Sequence, residues 1–195
     1  MTLIDFDKTL TYKDTLLGFY LAVCRFNKTK IFFLPIYFVF MVLYKIKLID
    51  NESLKKIGVF LFLKNQLEKN IKKISLYYSK KIKLNNLYDK LNLNNDVKIV
   101  VTASFENYVT YTLGDNFCVH GTSLHFENNQ VKGLGVNMFG DYKGDFVEKT
   151  YKNIFFESCY TDSLSDISIL KLAKKKYLVK NDELIQLKNE SFKKN

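Results

Sequence analysis

The chain of 195 residues contains one proline, Pro35, and one arginine, Arg25, among 30 basic side chains. One proline and eight glycines exclude collagen-like and low-complexity classes. The near absence of arginine weakens a nucleic-acid role despite a net charge of +10. Arginine reads bases and grips phosphates through two hydrogen bonds at once, whereas lysine supplies only point charge. Three cysteines, Cys24, Cys118 and Cys159, are too scattered for a disulfide framework or a structural zinc site and read as thiols in a reducing compartment. The opening residues MTLIDFDKTLT place two acids within seven positions, where a secretory leader would be basic and then apolar. A cytoplasmic location is expected.

What the chain does have is a core-forming composition, 47% hydrophobic and 26% charged. That suits one globular domain with room for an insert, burying roughly 70% of its unfolded surface. The excess charge is local. Residues 16–95 carry 15 Lys and Arg against four acids (Asp50, Glu52, Glu68, Asp89), a net of +11, and the remainder carries 15 against 16, a net of −1.

The same stretch, 16–95, reads as helical throughout. A helix over 15–26 has Asp14 as its expected N-cap. Residues 31–44 (IFFLPIYFVFMVLY) form an apolar run too short for the ~20 residues that cross a bilayer. The run reads either as a buried helix or as membrane contact. A further helix starts at Asp50-Asn51 and is rich in Val59, Phe60, Leu61, Phe62 and Leu63. Then Leu67, Ile71, Ile74, Tyr78 and Ile82 line one face of a basic amphipathic stretch, the composition of a membrane-surface element or of a bundle with a solvated lysine face.

Outside that segment, short apolar runs alternate with helical ones. Strands are expected at 97–101, 116–121, 154–160 and 176–179, helices at 105–113, 143–153 and 165–175, and a hairpin around Glu127-Asn128-Asn129. The expectation is an α/β fold with a parallel sheet, whose sites form at the carboxyl ends of strands.

Four motifs fall at such ends. Asp5-Phe6-Asp7-Lys8-Thr9 follows Leu3-Ile4, so two carboxylates two residues apart can converge on one cation while one stays free to attack. Thr102-Ala103-Ser104 ends a strand and offers a hydroxyl and amides to an anion. Lys143, with Lys149 as its competitor, opens a helix after the hairpin and can neutralise a phosphoryl group. Asp162 and Asp166, four apart after a strand, suit a divalent cation bound through oxygen. Each alone is equally a turn or a helix cap.

In this order, DxDxT, strand–Thr, Lys and DSxxD resemble the four-part signature of the haloacid-dehalogenase phosphohydrolases. The stretch from Gly121-Thr122-Ser123-Leu124 to Gly140-Asp141-Tyr142-Lys143 is similar to the phosphoserine-phosphatase-like branch, and so is the tail Tyr177-Leu178-Val179-Lys180-Asn181-Asp182-Glu183-Leu184. A closer resemblance is to the C-type phosphatidylglycerophosphatases, which share the apolar helical insert and a YSDS-like fourth motif, here Tyr160-Thr161-Asp162-Ser163.

The resemblance implies a Rossmann-like core of residues 1–15 and 96–195, with a C1-type helical cap of residues 16–95 inserted after the first strand. Asp5 would be the nucleophile and Asp7 the acid and then the base. Mg²⁺ would be held by Asp5, Asp162 and the main-chain carbonyl of Asp7, with Asp166 in support. Thr102, Ala103, Ser104 and Lys143 would bind the phosphoryl group, and Asp14 would lie on the substrate side. The implied substrate is a lipid-linked phosphate such as phosphatidylglycerophosphate, met at the inner face of the cytoplasmic membrane through the basic cap. A soluble phosphatase of small metabolites is the alternative, and a basic module binding membrane or nucleic acid is the non-enzyme one. Some positions depart from the pattern. Lys8 stands where glycine is commoner, the cap lacks the expected arginine, and Asp14 replaces a substrate-binding Glu, so phosphoserine itself is a poor expectation.

Overall fold

The computed structural model describes residues 1–188. Its centre is a six-stranded sheet of β1 (Thr2–Ile4), β2 (Lys98–Phe105), β3 (Phe117–Thr122), β6 (Phe156–Thr161), β7 (Ala173–Lys180) and β8 (Glu183–Leu187), in the order β3-β2-β1-β6-β7-β8. The first five strands in that order are parallel, and β8 returns antiparallel to β7. A separate hairpin of β4 (Leu124–Glu127) and β5 (Gln130–Leu134) follows β3. Helices α6 (Glu106–Leu113), α7 (Asp141–Thr150) and α8 (Ile167–Leu170) connect the later strands, so the expected α/β sheet with strand–helix alternation is what forms.

Period-two patterning puts successive strand residues on opposite faces. Ile4 and Val100 enter one buried cluster, and Leu3, Ile99 and Val101 enter the other with Val147 and Ile169. Each such side chain, fully withdrawn from water, stabilises the fold by roughly 1.5–3 kcal/mol.

Between β1 and β2 lie α1 (Leu16–Phe26), a 3₁₀ turn (Lys28–Phe33), α2 (Leu34–Lys45), α3 (Asn51–Gly58) with a π-helical continuation (Val59–Leu63), α4 (Glu68–Ser79) and α5 (Asn86–Asn92). Aromatic packing fastens them. Tyr20 stacks on Phe62 at 4.8 Å and meets Tyr37 edge-on at 5.1 Å, while Phe19 lies 4.9 Å from Tyr108 of α6. Tyr88 of α5 stacks on Phe117 of β3 at 5.5 Å. Gly58 is required at the α1 crossing, because a Cβ there would fall 2.4 Å from the Tyr20 hydroxyl.

The apolar run 31–44 is not a buried helix. Of α2 only Tyr37 is buried, while Phe38 is 63% exposed and Phe32, just before the helix, 78%. Among the described residues no helix is long and apolar enough to cross a membrane.

Three local expectations need correction. Helix α1 takes Thr15, not Asp14, as its N-cap residue. The Thr15 hydroxyl donates to Asp7, and Asp14 accepts from Leu16 N at 3.1 Å. The helix expected over 165–175 is a 3₁₀ turn (Leu164–Asp166) plus the single turn of α8, because the sheet edge draws residues from Ala173 onward into β7. The last expected strand, 176–179, extends over Ala173–Lys180 and does not end the sheet, because the tail turns back as β8. Asn181 and Asp182 both adopt positive φ (49° and 67°), the conformation that a tight two-residue turn between twisted strands demands.

Candidate active site

Strand ends converge on a cavity of about 610 Å³, roofed by α1, α2 and α3. Asp5 sits just past β1, and its amide donates to Tyr160 O at 2.9 Å, which pins the carboxylate to the sheet. Lys8 then turns the chain back with φ 56°. A left-handed residue with a Cβ costs roughly 1–2 kcal/mol, which explains why glycine suits this position.

Lys143 Nζ lies 2.7 Å from Asp5 Oδ1 and 2.8 Å from Asp166 Oδ2. Lys149 is exposed near the far end of the same helix, so of the two lysines Lys143 is the one that reaches Asp5. Two buried carboxylates share one buried ammonium, leaving a net negative charge out of water. Burial therefore pushes the Asp5 carboxyl up to about 7 against the pull of Lys143, and the same two carboxylates hold Lys143 above its ordinary range despite its burial. Asp166 also accepts from the Thr161 hydroxyl at 3.0 Å.

Asp7 is held differently. Its Oδ1 accepts from Thr15 N at 2.9 Å and from Thr15 Oγ1 at 2.6 Å, and its Oδ2 accepts from Ser104 Oγ. Tyr108 OH donates to Ser104 Oγ at 2.7 Å, extending the network into the core. Burial and the charge of Asp14 push the Asp7 carboxyl up to about 6, so it holds a proton at mildly acidic pH.

Strand β2 loses register with β3 after Val101. Four steps on β2, Val101 to Phe105, face two on β3, His120 to Thr122. This bulge turns Thr102, Ala103 and Ser104 toward the cavity. Gly121 lies opposite, where a Cβ would fall 2.8 Å from both Ser104 O and Glu106 N. In this arrangement the Ser104 amide donates to Thr102 Oγ1 at 3.1 Å.

Asp162 and Asp14 also line the cavity, so every expected site residue except Lys149 lies at it. Among the described residues no three His, Cys, Asp or Glu side chains form a ready metal cluster. A donor set of Asp5, Asp162 and the Asp7 carbonyl supplies only two such side chains. All of its donors are oxygens, and burial, with the charge of Asp166 adding to it, raises both Asp5 and Asp162. That combination fits a small hard dication such as Mg²⁺.

Sequence reasoning missed Lys55, Thr15, Tyr108 and Thr161. Lys55, on α3, is 2% exposed, and its Nζ donates to Ala103 O at 2.6 Å, Asn137 Oδ1 at 2.7 Å and Thr122 Oγ1 at 3.1 Å. Burial lowers it to about 7. Nothing separated it from the other lysines, because its partners are far away in sequence.

No protein-family model matches the chain, and no curated protein matches its sequence. Solved structures do. A protein from Bordetella pertussis Tohama I superposes with a TM-score of 0.75 at 16% identity, covering 90% of this chain and 87% of that one. A phospho-aspartyl intermediate analogue of phosphoserine phosphatase gives 0.59 at 21%, covering 90% and 83%. A haloacid-dehalogenase family hydrolase from Salmonella enterica serovar Typhi gives 0.64 at 9%, covering 88% and 59%. The chain therefore has the fold of the haloacid-dehalogenase hydrolases, with their Rossmann-like sheet.

Proposed function

We propose that the chain is a phosphomonoester hydrolase acting on a small phosphorylated metabolite through an aspartyl-phosphate at Asp5. The observation that carries the reading is Lys143 bridging Asp5 and Asp166 on the floor of a cavity edged by the Thr102–Ser104 bulge. In this reading residues 1–15 and 96–195 are the catalytic core and residues 16–95 the cap.

Phosphate enters with its oxygens toward Thr102, the amides of Ala103 and Ser104, and Lys143. An Asp5 oxygen attacks phosphorus in line and the bond to the leaving oxygen breaks. Asp7, carboxylic at that moment, gives its proton to that oxygen. As a carboxylate it then takes a proton from the water that attacks the aspartyl-phosphate, releasing phosphate and restoring Asp5. Asp5, Asp162 and the Asp7 carbonyl would hold Mg²⁺, with Asp166 in support, and the cation would offset the charge of carboxylate against phosphate.

The roof of the cavity is mostly apolar, through Leu16, Leu17, Tyr37, Met41, Tyr44 and Leu54, with Asp14 as its acid. This favours a leaving group with an apolar part over phosphoserine. One observation supports a second reading, a lipid head group met at an anionic membrane surface. Helix α2 lends Tyr37, Met41 and Tyr44 to the cavity while exposing Phe38, Val39 and Val42 to solvent, and Lys45 and Lys47 are exposed beside it. The test is a screen of the purified protein with Mg²⁺ against soluble phosphomonoesters and detergent-dispersed lipid phosphates. Hydrolysis of soluble esters supports the first reading, and hydrolysis of lipid phosphates alone supports the second. Inactivity toward both would overturn the phosphatase assignment.

A further inference from the structure

A bulge releases strand carbonyls from the ladder, and a buried carbonyl without a partner is costly. At Ala103 the partners come from two directions. Thr122 Oγ1, from the end of β3, donates at 2.7 Å, and Lys55 Nζ, from α3, donates at 2.6 Å. The other contacts of Lys55, to Asn137 Oδ1 and Thr122 Oγ1, give its ammonium three acceptors for three hydrogens. One helical turn earlier, Asn51 Oδ1 accepts from Asn137 Nδ2 at 3.4 Å, and Met138 N donates to Thr122 Oγ1 at 3.2 Å. A single face of α3 is thus joined to the bulge and to the segment leading into α7, the helix that carries Lys143.

We infer that Lys55 is a positioning residue: through the Ala103 carbonyl it fixes the Thr102–Ser104 bulge in the orientation that binds a phosphoryl group. The consequence is that the phosphoryl site is assembled only when α3 is seated on the sheet. The helices that select the leaving group therefore also complete the site that binds the group transferred. This inference rests on the phosphatase reading above and adds a residue that no strand-end motif contains.

The test uses the full chain with Lys55→Met, which keeps the aliphatic stem and loses the donors, and Lys55→Ala. Inorganic phosphate, as a competitive inhibitor of a soluble phosphomonoester, probes the phosphoryl site without any leaving group. Lys55→Met is expected to melt cooperatively, to raise the inhibition constant of phosphate about tenfold or more, and to lower kcat about 10–100-fold, less than the about 10²–10³-fold lost with a donor that touches the oxyanion itself. In Lys55→Ala, added ethylammonium should restore activity saturably by occupying the vacated ammonium position, an effect that a purely structural lesion would not show. Wild-type phosphate inhibition and kcat in Lys55→Met would overturn the inference, as would losses matching only its unfolded fraction, or no ethylammonium rescue of a folded Lys55→Ala. A wild-type protein that hydrolyses no phosphomonoester would instead overturn the underlying reading, so the two failures are distinguishable.

Discussion

Replacing the proposed nucleophile should make the metal-free protein more stable. Asp5 is 5% exposed and shares Lys143 with Asp166. Its carboxyl titrates near 7 in the fold against 3.8 for an unperturbed Asp. Between those values the native state binds more protons than the unfolded chain. The group's contribution is therefore most favourable below about pH 4, declines as pH rises to about 7, and stays at its floor above. The full gap corresponds to on the order of 4 kcal/mol. Asp5→Asn mimics the neutral carboxyl but deprives Lys143 of one charged partner, which takes back part of the gain. A net stabilisation of about 2 kcal/mol at pH 8 is expected, or a rise in Tm of about 4–8 °C for a chain of this size. The assay is thermal melting in EDTA at pH 5 and pH 8. The variant should melt higher at pH 8 and show a shallower dependence on pH, with the residual slope owed to Asp7 and Asp162 and opposed by Lys55, whose lowered value favours the fold as pH rises past about 7. A variant less stable than wild type at pH 8, or one with an unchanged slope, would refute the reasoning.

Asp7→Asn should lower kcat by about 10²–10⁴, the usual contribution of a positioned acid–base group, while leaving phosphate inhibition near wild type; equal loss of both would place Asp7 in binding. Mg²⁺ should raise the Tm of the wild type at pH 8 and do so far less in Asp162→Asn, and equal shifts would remove Asp162 from the metal set. Phe62→Ala, under Tyr20 at 4.8 Å, should cost about 3–5 kcal/mol in urea unfolding; a cost below 1 kcal/mol would mean that the helices are not fastened there. For the membrane reading, co-sedimentation with anionic vesicles should fall about tenfold or more in Phe38→Glu, since burying one exposed aromatic contributes roughly 1.5–3 kcal/mol. Wild-type protein that stays in the supernatant would remove that reading.

Strand-end chemistry was legible in the sequence because it is local. Asp5 and Asp7 follow one short strand, Thr102 opens the bulge near the end of another, and Asp162 and Asp166 follow a third, so each motif announces its position in a parallel sheet. Lys143 over Lys149 was not decidable from spacing. The choice depends on which side chain reaches Asp5, across 138 positions. Lys55 was invisible for the same reason, since its partners are a backbone carbonyl 48 positions away and an asparagine 82 away. The apolar run 31–44 misled in part. Composition tells that a helix is apolar all round, but not whether the fold has a surface to cover it. The Asn181-Asp182 turn is local as well, but the expected strand at 176–179 stops short of it and leaves β8 out.

The central claim is that phosphate passes through Asp5. Wild-type protein turning over a soluble phosphomonoester with Mg²⁺ should be quenched with borohydride, which reduces an aspartyl-phosphate to homoserine, and then mapped by peptide mass spectrometry. Homoserine is expected at position 5, dependent on substrate and absent from Asp7→Ala quenched without it. Turnover with no modification at position 5, or a stable phosphoryl adduct on Thr102 or Ser104 instead, would contradict the account.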